Sequence, residues 1–222
     1  MKNPPSDAGP TAILCDCGMV LADFDRDLFR HNFGIHYGFP PLASGIQWTL
    51  DEGPAFEKGE YSIDEFWHEA SARLPMPASD FAVFRKLWGD ILFRNEEVLA
   101  CMQALRRRPQ TALIMVSNID ELRMGFVLDE LGLGEVMHTQ VGSYESGVDF
   151  KGPGVSTMWQ KARALATQHL GVEPQTIVGI DDLPGNLERA SQDETLTHAI
   201  AFQGAKPLRE ELTRLGLLPA HS

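Results

Sequence analysis

Short apolar runs alternate with helix-forming stretches along most of this chain. Continuous apolar runs predict strands over residues 11–16, 111–116 and 176–181, and weaker runs predict strands near 136–142 and 197–202. Apolar runs without polar alternation are typical of parallel strands buried on both faces. A period of 3.6 residues predicts helices over 95–108, 120–131, 154–170 and 185–192. We therefore expect an α/β fold with a doubly wound, Rossmann-like parallel sheet.

One long stretch breaks this alternation. Residues 23–95 are helical in character and rich in aromatic side chains. Within them, Ser62 followed by Glu65 resembles a capping box that begins a helix. We predict a small α-helical cap domain over 23–95, inserted after the first strand. The α/β core would then comprise residues 11–22 and 96–222, and residues 1–10 would form a disordered N-terminal tail.

The composition of the chain indicates how large a core it can bury and which partners and locations are unfavourable. A chain of 222 residues with 43% hydrophobic residues can bury one core and carry a small insertion. Its net charge of −12 argues against nucleic acid or an anionic membrane as a partner. No apolar run reaches the roughly 18–20 residues that span a bilayer, and the N-terminus lacks the apolar core of a signal peptide. Three cysteines, an odd number, suit a reducing compartment. We expect a cytoplasmic protein, monomeric or homodimeric.

Polar residues that can carry chemistry stand at the ends of three predicted strands. Asp16 ends the first strand, Ser117 and Asn118 end the second, and Asp181 and Asp182 end the third. Ligands of open α/β sheets bind at the carboxyl ends of the strands, so these groups are expected to converge. Carboxylates suit a hard cation such as Mg²⁺, and hydroxyl and backbone N–H groups suit an anion.

A lysine completes this set. Lys151 lies in a loop rich in glycine and proline just before a predicted helix, where its ammonium can meet an anion. Each feature also has an ordinary interpretation. A lone acidic residue can simply begin a solvated loop, Ser117 can cap the helix that follows, and Lys151 can be a surface charge.

Taken together, the order of these motifs resembles the haloacid dehalogenase-like (HAD) hydrolase superfamily, over residues 11–217. The closest likeness is to small sugar-phosphate phosphatases with a helical cap, whose first motif often reads Asp-x-Gly-x-Val. Here that motif reads Asp16-Cys17-Gly18-Met19-Val20, and the stretch from Gly59 to Trp67 is similar to their cap.

The resemblance implies a Mg²⁺-dependent phosphatase that hydrolyses a small phosphorylated metabolite. Asp16 would attack phosphorus and form an aspartyl-phosphate. The resemblance also assigns the other roles. The metal would be held by Asp16, the Gly18 carbonyl and Asp182. Asp181 would be a further ligand, or would contact the ligands without binding the metal itself. Phosphate would be bound by Ser117, the Asn118 backbone, Lys151, Gly18 and the Cys17 backbone N–H, and Asn186 would orient the lysine or the metal surroundings.

Two departures from the family pattern keep other functions open. Many family phosphatases have an acid–base Asp two residues after the nucleophile, where this chain has Gly18; Asp23 or Asp25 could supply the proton instead. Lys151 is followed by Gly152 before Pro153, whereas the family usually has Lys-Pro. The alternatives are a weak or inactive relative that binds a ligand or partner, and a carbon-attacking dehalogenase, which needs no metal.

Substrate choice is expected to lie in the cap. The candidates to face the cleft are His31, His36, Trp48, Glu57 and His68, although burial within the cap is the more ordinary expectation for any one of them. Cys15 and Cys17 flank Asp16, and strand alternation directs both to the side away from it, so packing is the better account of Cys15.

Overall fold

The computed structural model describes residues 9–38, 40, 44–74 and 76–219. Its main sheet has five parallel strands in the order β5-β4-β1-β6-β7. The strands are β1 (Thr11–Cys15), β4 (Thr111–Ser117), β5 (Thr139–Gly142), β6 (Thr176–Asp181) and β7 (His198–Ala201). Helices cover both faces of this sheet, so the predicted α/β fold class is confirmed.

The central strand β1 brings the three polar strand ends together. Its last residue, Cys15, pairs with Met115 of β4 on one side and with Ile180 of β6 on the other. All residues of β1 and β4 are buried, as their continuous apolar runs predict. Asp16, Ser117 and Asp181 therefore lie side by side at the carboxyl edge of the sheet.

Each face of the sheet has its own apolar core. Ile13 and Cys15 of β1 point into the larger core, and Ala12 and Leu14 point into the smaller one, where they meet Trp159. The helices of this part are α5 (Glu96–Arg106), α6 (Glu121–Asp129), α7 (Thr157–Leu170), α8 (Pro184–Gln192) and α9 (Ala205–Arg214). The sequence pattern does not predict α9, and it predicts a strand that begins near residue 136, whereas β5 begins at Thr139, after a 3₁₀ turn at Leu133–Glu135.

A helical insertion follows β1 and is bounded by a short ribbon. Its helices are α1 (Arg26–Tyr37), α2 (Ser44–Glu57), α3 (Ile63–Arg73) and α4 (Phe81–Gly89). Strand β2 (Ala22–Phe24) pairs in antiparallel fashion with β3 (Leu92–Arg94) at its two ends. The helical prediction for 23–95 is therefore wrong at its two ends, because three-residue strands are too short to show an alternating pattern.

The aromatic residues of the insertion form its core. Phe29, Phe56, Phe66, Phe84 and Trp88 are essentially inaccessible to solvent, and the rings of Phe56 and Phe66 stack 4.2 Å apart. The predicted capping box is confirmed: the Glu65 N–H donates to Ser62 Oγ, and the Ser62 N–H donates to Glu65 Oε2 over 2.8 Å.

Two further predictions concern the chain ends and membranes. Eight residues of the predicted N-terminal tail, 1–8, lie outside the described residues. Among the helices that the structure describes, none combines the length and the apolar character needed to cross a bilayer.

Candidate active site

Asp16 lies in the turn that follows β1. Its N–H donates to the Ile180 carbonyl over 2.9 Å, which continues the pairing with β6, and the residue is only 7% exposed. The Cys17 N–H donates to Asp16 Oδ1 over 2.6 Å. Cys17 and Gly18 line the cleft in front of Asp16, and a role of the Cys17 N–H toward a bound phosphate stays a prediction.

Lys151 lies between two buried carboxylates. Its Nζ is 2.9 Å from Asp16 Oδ1 and 2.6 Å from Asp181 Oδ2. Burial acts to lower the pKa of Lys151, but the two carboxylates outweigh it, and the net pKa is raised. Burial raises the pKa of Asp16 to about 6, with Lys151 opposing the shift and Asp181 adding to it. One ammonium therefore compensates two acidic groups at the strand ends.

Asp181 and Asp182 have different surroundings. Asp181 is fully buried, and besides Lys151 it accepts from Asn186 Nδ2 and from the Leu183 N–H, each over 2.9 Å. Asp182 instead lines the cleft, and burial together with Asp181 raises its pKa. Asn186 thus contacts Asp181 and not Lys151, and its predicted role in orienting the lysine or the metal surroundings stays a prediction.

The three carboxylates are close enough to share a cation. One oxygen each from Asp16, Asp181 and Asp182 lies within 4.8 Å of the others. Oxygen donors of this kind are what Mg²⁺ prefers. The donor set therefore fits a hard divalent cation.

The backbone of Lys151 is held by the side chain of Asn118. Asn118 Oδ1 accepts from the Lys151 N–H over 2.7 Å, and Asn118 Nδ2 donates to the Lys151 carbonyl over 3.0 Å. These two bonds place the lysine despite the extra Gly152. The sequence motif predicts a role for the Asn118 backbone, and the contact of its side chain with Lys151 is visible only in the structure.

Ser117 ends β4 at the wall of the cleft and is 3% exposed. The residue that caps α6 is Asp120, whose side chain accepts from the Arg123 N–H over 2.9 Å. The interpretation of Ser117 as a helix cap is therefore wrong, and its hydroxyl stays available for a ligand.

The cleft in front of Asp16 has a volume of about 280 Å³ and extends from the strand ends to the helical insertion. Its outer wall is largely apolar and includes Phe24, Ile91 and Phe150. Three charged residues also line it: Arg26 and Glu57 from the insertion, and Arg123 from α6.

Of the five insertion residues predicted to face the cleft, only Glu57 lines it. His31, His36 and His68 are exposed elsewhere, and Trp48 packs on Phe66. Neither Asp23 nor Asp25 lines the cleft, and the Asp25 side chain instead caps α1. Arg26 and Arg123 are not predicted from the sequence, since no sequence pattern pairs Arg123 with Glu57 of the insertion.

Comparisons with known proteins identify the fold. Protein-family models and curated protein sequences gave no match. Among solved structures, a HAD family enzyme from Bacteroides thetaiotaomicron, in complex with magnesium and inorganic phosphate, superimposes with a TM-score of 0.59 at 18% identity, covering 86% of this chain and 93% of that one. A predicted HAD-like family hydrolase from Porphyromonas gingivalis gives 0.60 at 20% identity, covering 92% and 97%.

A third similar structure is that of a dehalogenase. The L-2-haloacid dehalogenase from Xanthobacter autotrophicus gives a TM-score of 0.54 at 16% identity, covering 94% of this chain and 84% of that one. The polar groups of this chain thus meet at the carboxyl edge of a sheet that all three structures share. The chain has the fold of the haloacid dehalogenase-like hydrolases.

Proposed function

We propose that this protein is a Mg²⁺-dependent phosphatase that hydrolyses a small phosphorylated metabolite through an aspartyl-phosphate on Asp16. The observation that carries this proposal is the position of Asp182, which adds a third carboxylate to the Asp16–Asp181 pair and lines the cleft. These three carboxylates lie close to one buried lysine, and the excess of negative charge favours the binding of a cation. A HAD structure that contains magnesium and phosphate supports the same reading.

Asp16, Asp182 and the Gly18 carbonyl would hold Mg²⁺, with Asp181 behind them because its contacts are already made. The bound ion would offset the repulsion between an anionic nucleophile and an anionic phosphate.

The chain's own residues would do the rest. Lys151 and the Cys17 N–H fix the Asp16 carboxylate before the substrate binds. Ser117, Lys151 and the backbone at Asn118 would hold the phosphate oxygens. The helical insertion would act as the cap that selects the substrate and excludes water.

The alternatives predict different chemistry from the same cleft. A dehalogenase would use Asp16 to attack carbon without a metal, which leaves the position of Asp182 unexplained. A ligand-binding relative would bind Mg²⁺ or phosphate without turnover.

The test is phosphate release from a panel of sugar and other metabolite phosphates, with Mg²⁺ and with EDTA. We expect release only with Mg²⁺, and a loss of about 10³-fold or more in Asp16→Asn, since the nucleophile is gone. Asp182→Asn should raise the Mg²⁺ concentration needed for half-maximal activity. Asp129→Asn, a change of the same type at an exposed site on α6, should match wild type. Equal release in EDTA, or no release from folded protein that binds Mg²⁺, would refute the proposal.

A further inference from the structure

Among the residues that the structure describes, one carboxyl group of the cleft has no role in the proposed reaction. Within that part of the chain, the acidic residues that line the cleft are Asp16, Asp182 and Glu57. Asp16 is assigned as the nucleophile and Asp182 as a cation ligand. An alcohol leaves poorly as an alkoxide, so the reaction gains from a proton donor near the ester oxygen. Gly18 has no side chain to supply it, which leaves Glu57.

The backbone of Glu57 is fixed to the strand end that carries Ser117. Ser143 Oγ donates to the Glu57 carbonyl over 2.5 Å, and the Ser143 N–H donates to the Ser117 carbonyl over 3.1 Å. A single residue of the α/β core therefore joins Glu57 to the phosphate end of the cleft. Glu57 is held at a defined place although it belongs to the insertion.

Its side chain has one anchored oxygen and one free oxygen. Oε1 accepts from Arg123 Nη1 over 3.1 Å. Oε2 makes no hydrogen bond to any residue that the structure describes. The oxygen that is bonded to Arg123 sets the orientation of the carboxyl group, and Oε2 can form a hydrogen bond with a bound substrate.

The surroundings of Glu57 raise the pKa of its carboxyl group above the ordinary value. Arg123 is shared with Asp120, whose Oδ2 lies 3.2 Å from the same Nη1, so one cation serves two carboxylates. Glu57 is also the last residue of α2, where the helix dipole disfavours a negative charge. Burial raises the pKa of Glu57; Arg123 and the more distant Arg26 oppose the shift, and Asp120 adds to it.

We propose that Glu57 is the general acid for the leaving group and the general base for the second step. This inference rests on the proposed function. In the first step the P–O ester bond breaks as Asp16 bonds to phosphorus, and the ester oxygen takes the Glu57 proton and leaves as an alcohol. In the second step the Glu57 carboxylate takes a proton from water as the water oxygen attacks phosphorus. The P–O bond to Asp16 then breaks, which restores both side chains and releases inorganic phosphate.

The test compares two leaving groups in Glu57→Gln, which keeps the shape of the side chain and its acceptor for Arg123. A primary alkyl phosphate needs a proton on its leaving oxygen, whereas p-nitrophenyl phosphate releases a stable phenolate. We expect kcat/KM for the alkyl phosphate to fall by about 10²- to 10⁴-fold, and kcat/KM for p-nitrophenyl phosphate to fall by less than about tenfold. In addition, p-nitrophenolate should appear in a burst, because loss of the base slows the second step.

Equal losses for the two substrates, or no loss for either, would overturn the assignment, since a binding or structural role does not distinguish leaving groups. The matched control is Glu60→Gln, an exposed residue just beyond α2, which should match wild type. Circular dichroism and urea unfolding would show that Glu57→Gln is folded.

A second readout is the pH profile for the alkyl phosphate. In wild type, kcat/KM should fall at alkaline pH as Glu57 loses its proton, and this fall should disappear in Glu57→Gln. The pH at which the fall occurs depends on the charged groups that face Glu57, which are Arg123, Asp120 and Arg26. Persistence of that fall in the variant would contradict the proposal. If wild type cleaves neither substrate, the proposed function fails as well; if Asp16→Asn abolishes both activities while Glu57→Gln shows no discrimination, only the role of Glu57 fails.

Discussion

Replacing Lys151 by methionine removes the ammonium group that lies between two buried carboxylates. The lysine side chain is 1% exposed and contacts Asp181 Oδ2 at 2.6 Å and Asp16 Oδ1 at 2.9 Å. Methionine fills a similar volume, so packing changes little and the main effect is electrostatic. Removing one partner of a buried ion pair costs about 3–5 kcal/mol, because the other charge remains buried without compensation. We expect the free energy of unfolding in EDTA at pH 8 to fall by about that amount.

Urea unfolding followed by circular dichroism measures this change. A second variant, Lys151→Met with Asp181→Asn, also removes the fully buried carboxylate. Asparagine still accepts the Leu183 N–H, so this double variant should recover about half of the loss or more. Neither variant should be active, because both lack the lysine that contacts Asp16 and that we propose to hold the phosphate.

Lys161→Met is the matched control. Lys161 pairs with Glu145 at 2.7 Å, but its side chain is 35% exposed, and exposed pairs contribute about 0–1 kcal/mol. A Lys151→Met variant as stable as Lys161→Met would refute the reasoning, because it would mean that the lysine is not the compensating charge of this site.

Three further predictions concern groups around the site and the core. Asn118→Ala removes both hydrogen bonds to the Lys151 loop, so urea unfolding should show a loss of about 1–3 kcal/mol and turnover should fall. Trp88→Phe removes the indole N–H that donates to the fully buried Asp120 over 3.1 Å, so the free energy of unfolding should fall by about 1–3 kcal/mol. A smaller fall would show that this hydrogen bond does not stabilise the fold. Burial, with His169 adding to it, lowers the pKa of His138 from 6.5 to about 4. The unfolded chain therefore binds a proton that the folded chain rejects, so the free energy of unfolding should fall between pH 6.5 and 4, and this fall should be smaller in His138→Asn.

The sequence predicts the parts of the site that depend on strand ends. Asp16, Ser117 and Asp181 each follow an apolar run, and parallel strands with their ends aligned bring such residues together. The continuous apolar runs likewise predict the three central strands β1, β4 and β6, whereas the edge strands β5 and β7 are less buried and have weaker patterns. Both inferences are local: they need only the run and the residue after it.

What the sequence does not predict depends on contacts between distant residues. The contact of Asn118 with Lys151 and the pairing of Glu57 with Arg123 join separate parts of the chain. The periodicity of apolar residues along the chain does not predict such contacts. The ribbon of β2 and β3 is missed for the same reason, since each strand is stable only because the other exists. The histidines of the insertion look like binding residues in the sequence, and their exposure away from the cleft becomes visible only in the fold.

The most direct test of the account is a rapid acid quench of the enzyme during turnover of a ³²P-labelled substrate in the presence of Mg²⁺, followed by peptide mapping. We predict label on the peptide that contains Asp16, its release by hydroxylamine, and no label in Asp16→Asn or in EDTA. Turnover of the substrate without labelled protein, together with an active Asp16→Asn variant, would contradict the assignment of Asp16 as the nucleophile.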